Sequence, residues 1–347
     1  MGERTVIGVD IGGTKIIAGV VDERLEVGHR AARAAPSHSQ VAALEAIVDA
    51  VSEARAASPD PVQAVGFGIP SLIDQTRGVP VTSINLQLAG IPFAALMSER
   101  LGLPVFVDND ANLALLAEQR HGAARGAQHA AMLTIGTGIG GGLLFNGEVY
   151  RGAIGAAGEL GHMVIDQNGP PCQGNCPNHG CLESLASGTA LAREGLWAAE
   201  ATPDSALGAA LLQGEEITGA LITELALGGD RPAGEVLALI GTRLGVGISN
   251  LVNMLNPEVV VIGGGVIAAG ELLLAPARAE VASRALAPSR DLVRIVAASF
   301  GPEAGMIGAA LHAFEGIDAA ATAGRRALAR RRDDWWSARR RSATWRT

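Results

Sequence analysis

Apolar residues along the chain fall into two kinds of run. Short β-branched runs end in glycine. Val6-Ile7-Gly8-Val9-Asp10-Ile11 leads into Gly12-Gly13-Thr14-Lys15 and resumes as Ile16-Ile17-Ala18-Gly19-Val20-Val21. Apolar stretches of strand length on both sides of a Gly-Gly-Thr turn predict a hairpin. Ala131-Met132-Leu133-Thr134-Ile135 repeats the pattern before Gly136-Thr137-Gly138-Ile139-Gly140-Gly141-Gly142. It continues through Leu143-Leu144-Phe145, turns at Asn146-Gly147 and resumes at Glu148-Val149-Tyr150, which predicts three strands joined by two turns. A further buried strand, Val259-Val260-Val261-Ile262, ends in Gly263-Gly264-Gly265 before a helical stretch from Glu271 to Leu286. The second kind of run spaces apolar residues three and four apart. It predicts helices over Gln40 to Ala57, Asn112 to His121, Ser187 to Glu200 and Glu235 to Leu255.

The first two glycine turns share one plan: apolar strand, polar residue, Ile-Gly, a Gly/Thr turn and a second apolar strand. A repeated unit of this kind predicts two α/β domains of related design with a cleft between them, and 347 residues suit two domains. The expected division is 1–122 and 123–295, with a helix in 296–316 packing back on the first domain and a disordered basic tail over 317–347. Composition, 48% hydrophobic and 18% charged, excludes a disordered chain. The uncharged stretches are too short or too glycine-rich for a bilayer span, and the N-terminus lacks a secretory pattern, so a cytoplasmic location is expected. The net charge of -8 is uneven. Arg325 to Thr347 holds nine Arg against Asp333 and Asp334, a balance of +7, which leaves -15 on the rest. An acidic body argues against nucleic acid as the main partner. The tail carries three of the four Trp and reads as a solvated, frayed extension, with an RNA-binding or membrane-surface segment as the alternative.

Three glycine turns, two with Thr beside them, suit close backbone approach to phosphate. A P-loop is absent, because Lys15 is the sole lysine and Ile16 follows it. Gly136, Gly138 and Gly141 have dinucleotide spacing, but strand and hairpin follow where that fingerprint needs a helix. Gly263, Gly265 and Ala268 fit its looser form before a helix, at the cost of leaving the first two turns unexplained. Cys172, Cys176 and Cys181 lie within ten residues. An odd, clustered set in a reducing compartment points to a metal, and thiolates with a histidine point to structural zinc. His162 and His179 are both candidates for the fourth ligand. Glu159 and Glu183 flank the cluster, and two carboxylates can each accept a pair of hydrogen bonds from vicinal sugar hydroxyls. Asn109 and Asp110 stand where a strand meets a helix, a position that also suits an N-cap.

Asp10-Ile11-Gly12-Gly13-Thr14-Lys15, Gly136 to Gly142, and Glu159-Leu160-Gly161-His162 followed by the cysteines resemble the ROK family of sugar kinases and repressors, within the actin, hexokinase and Hsp70-like ATPase fold. The resemblance runs from about Val6 to Phe314. It implies Asp110 as catalytic base, and Asn85, Asn109, Asp110, Glu159, His162 and Glu183 as sugar ligands. It implies zinc on His162, Cys172, Cys176 and Cys181, and ATP with Mg²⁺ as donor. Asp10 would hold the Mg²⁺ through water. Gly12, Gly13, Thr14, Thr137 and Gly138 would face phosphate, with Lys15 an extra cation and Gly264 and Gly265 against adenosine. Two departures stand out: Gln173-Gly174-Asn175 separates the first two cysteines where relatives commonly have one residue, and Ser71 and Gln87-Leu88-Ala89 replace residues that are often Pro, Trp or Gly.

The implied reaction moves the ATP γ-phosphoryl group to the 6-hydroxyl of a hexose, glucose first, with fructose, mannose or an N-acetylhexosamine as alternatives and polyphosphate as an alternative donor. An alcohol near ~15.7 and an aspartate near ~3.9 differ by about 12 units, or ~16 kcal/mol, so the proton must move late. A sugar-responsive repressor is the rival reading. It would need a helix-turn-helix before the first glycine turn, which begins within about ten residues of Met1. A homodimer or higher homo-oligomer is expected from the resemblance.

Overall fold

The structure is a computed structural model and describes residues 4–36, 38–81 and 87–343, with side-chain environments through 323. The first glycine turn does what its pattern predicts. β1 (Thr5–Ile11) and β2 (Lys15–Asp22) pair antiparallel, with the Gly12 N–H donating to the Lys15 carbonyl at 2.8 Å. β3 (Val27–Ala34) extends the hairpin outward, and α1 (Gln40–Ala57), capped by the Ser39 hydroxyl, returns the chain to β4 (Val62–Ile69), parallel to β1. A small hairpin of β5 (Ile73–Asp74) and β6 (Val79–Pro80) and helix α2 (Phe93–Leu101) precede β7 (Val105–Asn109), which runs straight into α3 (Asp110–His121). The sheet order is β3-β2-β1-β4-β7.

The second half repeats this plan. β8 (Ala130–Ile135), β9 (Ile139–Phe145) and β10 (Glu148–Val149) form the antiparallel meander; β11 (Val259–Gly263) and β12 (Arg294–Ala297) add parallel strands, giving β10-β9-β8-β11-β12. Between β10 and β11 the chain inserts α4 (Leu182–Ala186), α5 (Gly188–Ala201), α6 (Ala206–Leu212), α7 (Gly219–Leu227) and α8 (Arg231–Leu255). α9 (Glu271–Arg284) and α10 (Ser289–Leu292) lie between β11 and β12, and α11 (Ala304–Ala343) closes the chain. α8 is long and apolar enough to cross a membrane by length and composition alone, yet 61% of that window is buried within the protein. It packs along α9, where Gly241 and Gly245 meet the Leu273 and Ala277 backbones, as a core helix.

α11 belongs to the first sheet. A Cβ on Gly8 would stand 2.0 Å from the Met306 carbonyl oxygen, and one on Gly66 1.8 Å from that of Ala309. The missing side chains let the helix backbone lie against β1 and β4. Two details differ from the sequence reading. Residues 296 and 297 belong to β12 and the helix begins at Ala304, because the Gly301-Pro302-Glu303 turn intervenes; and the tail expected to be disordered continues as helix to Ala343.

The chain passes between the two halves at 122–129 and again at 298–303. The wholly buried Glu118 of α3 holds both passages. One carboxylate oxygen accepts from the Ala123 N–H at 2.7 Å, and the other from the Ser299 and Phe300 N–H groups at 2.7 and 3.0 Å.

The glycine contacts give a paired test. Gly66→Ala drives a methyl into the α11 backbone and is expected to cost about 3 kcal/mol or more, since overpacking against backbone cannot be relieved by a rotamer change. Gly234→Ala, inside α8 with open space at its Cβ position, is expected to stabilise by up to ~1 kcal/mol. Urea unfolding of both variants measures the contrast, and equal midpoints would refute the close-approach argument.

Candidate active site

The ends of β1 and β7, the segment after β10 and α4 bring four carboxylates into one row. Asp10 is the next-to-last residue of β1; Asp110 opens α3; Glu159 precedes the 3-10 turn Leu160–His162; Glu183 lies in α4. Burial, then the neighbouring Asp110 charge, pushes the Asp10 pKa from its ordinary 3.8 to about 7. Burial raises Asp110 to about 6, with Glu159 adding to it, against hydrogen bonds from the Ala111 N–H, its own N–H and Asn109. Partial burial, opposed by His162 and reinforced by Glu183, raises Glu159 as well. Like charges held this close in low dielectric favour protons or cations. Gly305, at the start of α11, completes the wall behind Asp10: a Cβ there would lie 2.8 Å from the Asp10 Cγ.

Asn109 caps α3. Its Oδ1 accepts from the Ala111 and Asn112 N–H groups at 3.0 and 3.1 Å, and its Nδ2 donates to the Ser71 carbonyl at 3.3 Å. The same side chain also donates to the Asp110 carboxylate, so it ties the cap, the Ser71 loop and the acid together. Glu183 accepts from the Ile139 N–H at 2.8 Å and sits under Gly138, where a Cβ would come within 2.3 Å of its Oε2. Its other oxygen is 3.8 Å from the Cys172 sulfur, so one carboxylate joins the second glycine turn to the cysteine loop.

That turn is fixed further by α5, whose first residue, Gly188, donates its N–H to the Gly136 carbonyl at 2.7 Å, while the Thr189 hydroxyl donates to the Thr137 carbonyl at 2.8 Å. Thr14, Lys15 and Thr137 stay exposed at the mouth. Beside the turn opens a cavity of about 510 Å³, bounded by Gly136, Gly188, Ala220, Thr223, Glu224 and Gly265. Its walls are small and largely apolar, a slot suited to a flat base. Gly265 lines it. Gly264 does not; at φ +86° it lies on the Ile135 backbone, 2.3 Å from that carbonyl oxygen to a built Cβ, and seats β11 against β8.

His162, Cys172, Cys176 and Cys181 place their donor atoms within 4.8 Å of one another. The Cys172 sulfur is 3.4 Å from His162 Nδ1, and the Cys176 and Cys181 sulfurs are 3.9 Å apart. A tetrahedral thiolate site with ~2.3 Å metal–sulfur bonds has edges of ~3.8 Å, so the donors fit a zinc ion. Burial and the neighbouring sulfurs raise the Cys172 thiol, which makes a bound cation the natural source of thiolate charge. His179 is exposed and lies outside this group. The three residues between Cys172 and Cys176 do not prevent the grouping. With Nδ1 turned to sulfur, His162 Nε2 faces Glu159 Oε2 at 3.6 Å.

Comparison with known proteins places this geometry. The ROK family model matches residues 6–315. The chain belongs to the ROK family. It is 35% identical to a glucokinase of Halalkalibacterium halodurans, covering 89% of this chain and 94% of that one. The ROK glucokinase of Streptomyces griseus, solved with glucose and AMPPNP, superposes with a TM-score of 0.80 at 36% identity, over 90% of this chain and 99% of that one. A ROK transcriptional regulator, a homolog of the E. coli MLC protein, superposes with a TM-score of 0.81 at 27% identity, over 89% and 78% of the two chains. The ROK fold, an actin/hexokinase-like ATPase fold, therefore serves kinase and regulator alike, and the site must decide between them.

Within the ROK frame, Asp10, Asp110, Glu159 and Glu183 form the row, and His162 joins it to the cysteines. Asn85 lies outside the described residues. Sequence reading missed the α7 wall of the cavity and Gly305, which reach the site only through long-range packing.

Both raised aspartates bind protons more tightly folded than unfolded. The contribution of these two groups to stability is therefore full below about pH 4 and is lost as pH rises through their folded values of about 6 and 7. Urea melts of the nucleotide-free protein without Mg²⁺ are expected to show this decline, and Asp10→Asn to flatten its upper part. Identical pH slopes in the two proteins would contradict the assignment.

Proposed function

We propose that this ROK chain is a hexose kinase that transfers the ATP γ-phosphoryl group to the sugar 6-hydroxyl, with glucose as first substrate. The observation that carries the reading is the row itself: Asp110 from the first half and Glu159 from the second lie close enough for one charge to shift the other. A sugar between them would meet an acceptor on each side. The similarity to glucokinases supports glucose as the acceptor.

The site residues divide the work. Asp110 orients the 6-hydroxyl and takes its proton. At a pKa of about 6 it still lies ~10 units below an alcohol, or ~13 kcal/mol, so the proton moves as the phosphorus–oxygen bond forms. Most of the rate then comes from alignment and charge neutralisation in a loose transition state. The amides around Gly13 and Gly138 would edge the phosphate path, with Thr14, Thr137 and Lys15 at its mouth, and the cavity beside Gly265 would take adenosine. Asp10, already short of cationic partners, suits Mg²⁺ through water. Zinc on His162, Cys172, Cys176 and Cys181 would fix the loop and turn the His162 Nε2–H toward Glu159 and the sugar. Three thiols kept as metal ligands suit a reducing compartment and support a cytoplasmic setting.

A coupled kinase assay over a panel of hexoses and donors tests the reading. Asp110→Asn is expected to keep glucose binding by calorimetry and to lose kcat by two or more orders of magnitude; near-normal turnover would remove the assigned base. Cys176→Ala is expected to lower bound zinc, measured on the same sample, and to raise the glucose KM by about tenfold. Full activity in zinc-free protein would separate metal from sugar site.

A further inference from the structure

Beside the acidic row lies a carboxylate that takes no part in it. Asp108, on β7 two residues before Asp110, has a side chain only 1% exposed. Its Oδ2 accepts from both Arg151 Nε at 2.7 Å and Arg151 Nη2 at 2.6 Å. Its Oδ1 accepts from Gln75 Nε2 at 2.8 Å and from the Asn109 N–H at 2.8 Å. Arg151 is held at its remaining end, donating from Nη1 to the Val149 carbonyl at 3.2 Å. Three stretches of chain meet on this one group: β7, the β5–β6 hairpin through Gln75, and the segment that follows β10.

That last segment leads to Glu159. The Arg151 carbonyl accepts from the Ala157 N–H at 3.2 Å, closing 151–157 on itself. Gly155 lies flat on the β5–β6 hairpin, where a Cβ would stand 1.9 Å from the Ile73 carbonyl oxygen, and Gly158 rests on the Gly141 backbone of β9. The loop that delivers Glu159 from the second half is thus anchored to the strand that delivers Asn109 and Asp110 from the first. A buried ion pair costs desolvation that its attraction repays only with full hydrogen bonding, so such a pair is weak as a source of stability and apt as a source of register.

We propose that Asp108 and Arg151 form a positioning pair for the hexose site, setting the separation between Asp110 and Glu159 across the two halves without touching the sugar. This rests on the hexose-kinase reading above, and its signature is selective. Loss of the link should loosen grip on the sugar while leaving the nucleotide cavity, walled by α5, α7 and the Gly265 turn, as it was.

Arg151→Met alone leaves a buried Asp108 unpaired and risks unfolding, so the decisive variant is the double substitution Asp108→Asn with Arg151→Met, which removes both charges. Steady-state constants for sugar and ATP are measured on wild type, Arg151→Lys, Arg151→Met and the double variant, with glucose affinity measured by calorimetry without nucleotide. The double variant is expected to fold, to raise the glucose KM and Kd about tenfold or more, and to leave the ATP KM within about twofold. It should be no worse than Arg151→Met, since both break one link, and Arg151→Lys should recover part of the loss. Unchanged glucose constants in the folded double variant would overturn the proposal, as would equal rises in both KM values. Wild-type turnover on glucose or another hexose is read first and separately; a wild-type chain inactive on every hexose removes the functional reading, and this inference with it.

Discussion

A carboxylate taken out of water must find donors or give up its charge, and the β7–α3 corner buries three of them within eleven residues. Asp108 finds Arg151 and Gln75. Asp110 finds the N–H of Ala111 at the helix start, and keeps one oxygen for chemistry. Glu118 finds three backbone N–H groups, all from the two passages between the halves. Much else follows from these obligations. The place where the two halves join, the place where the base is presented and the loop that brings in the opposing acid are all defined by what one strand and one helix need for solvation.

The local layout was open to reading from the sequence because glycine and β-branched residues punctuate it. The Gly12-Gly13 and Gly136–Gly138 turns predicted both hairpins, and their shared plan predicted two sheets of one topology. Helix spacing placed α1 over Gln40–Ala57, the very residues that form it. The site was legible where several chemical signals coincide in a short span, as in the three cysteines. It was not legible where a side chain has more than one use. Asn109 serves first as a helix cap, and Glu183 braces the Ile139 N–H, roles that depend on neighbours far off in sequence. The choice between His162 and His179 turns on which imidazole the loop points inward, a matter of three-dimensional path that spacing does not encode.

Kinases and regulators of the ROK family share this architecture closely enough that backbone superposition does not separate them. What distinguishes a catalyst is protonation and alignment at a few atoms. Here burial raises Asp110 to about 6 and Asp10 to about 7, and the neighbouring acid reinforces each shift.

The helix laid on Gly8 and Gly66 has a bearing on how the molecule is made. Those strands leave the ribosome well before their covering layer, which starts at Ala304 and follows the whole of the second sheet. Throughout translation the early sheet therefore keeps one apolar face waiting, and the leading half cannot finish folding as an independent unit. Nascent chains of this protein should depend on chaperone shelter for that face, and a premature stop anywhere in the second half would leave a product exposed to aggregation rather than a working fragment.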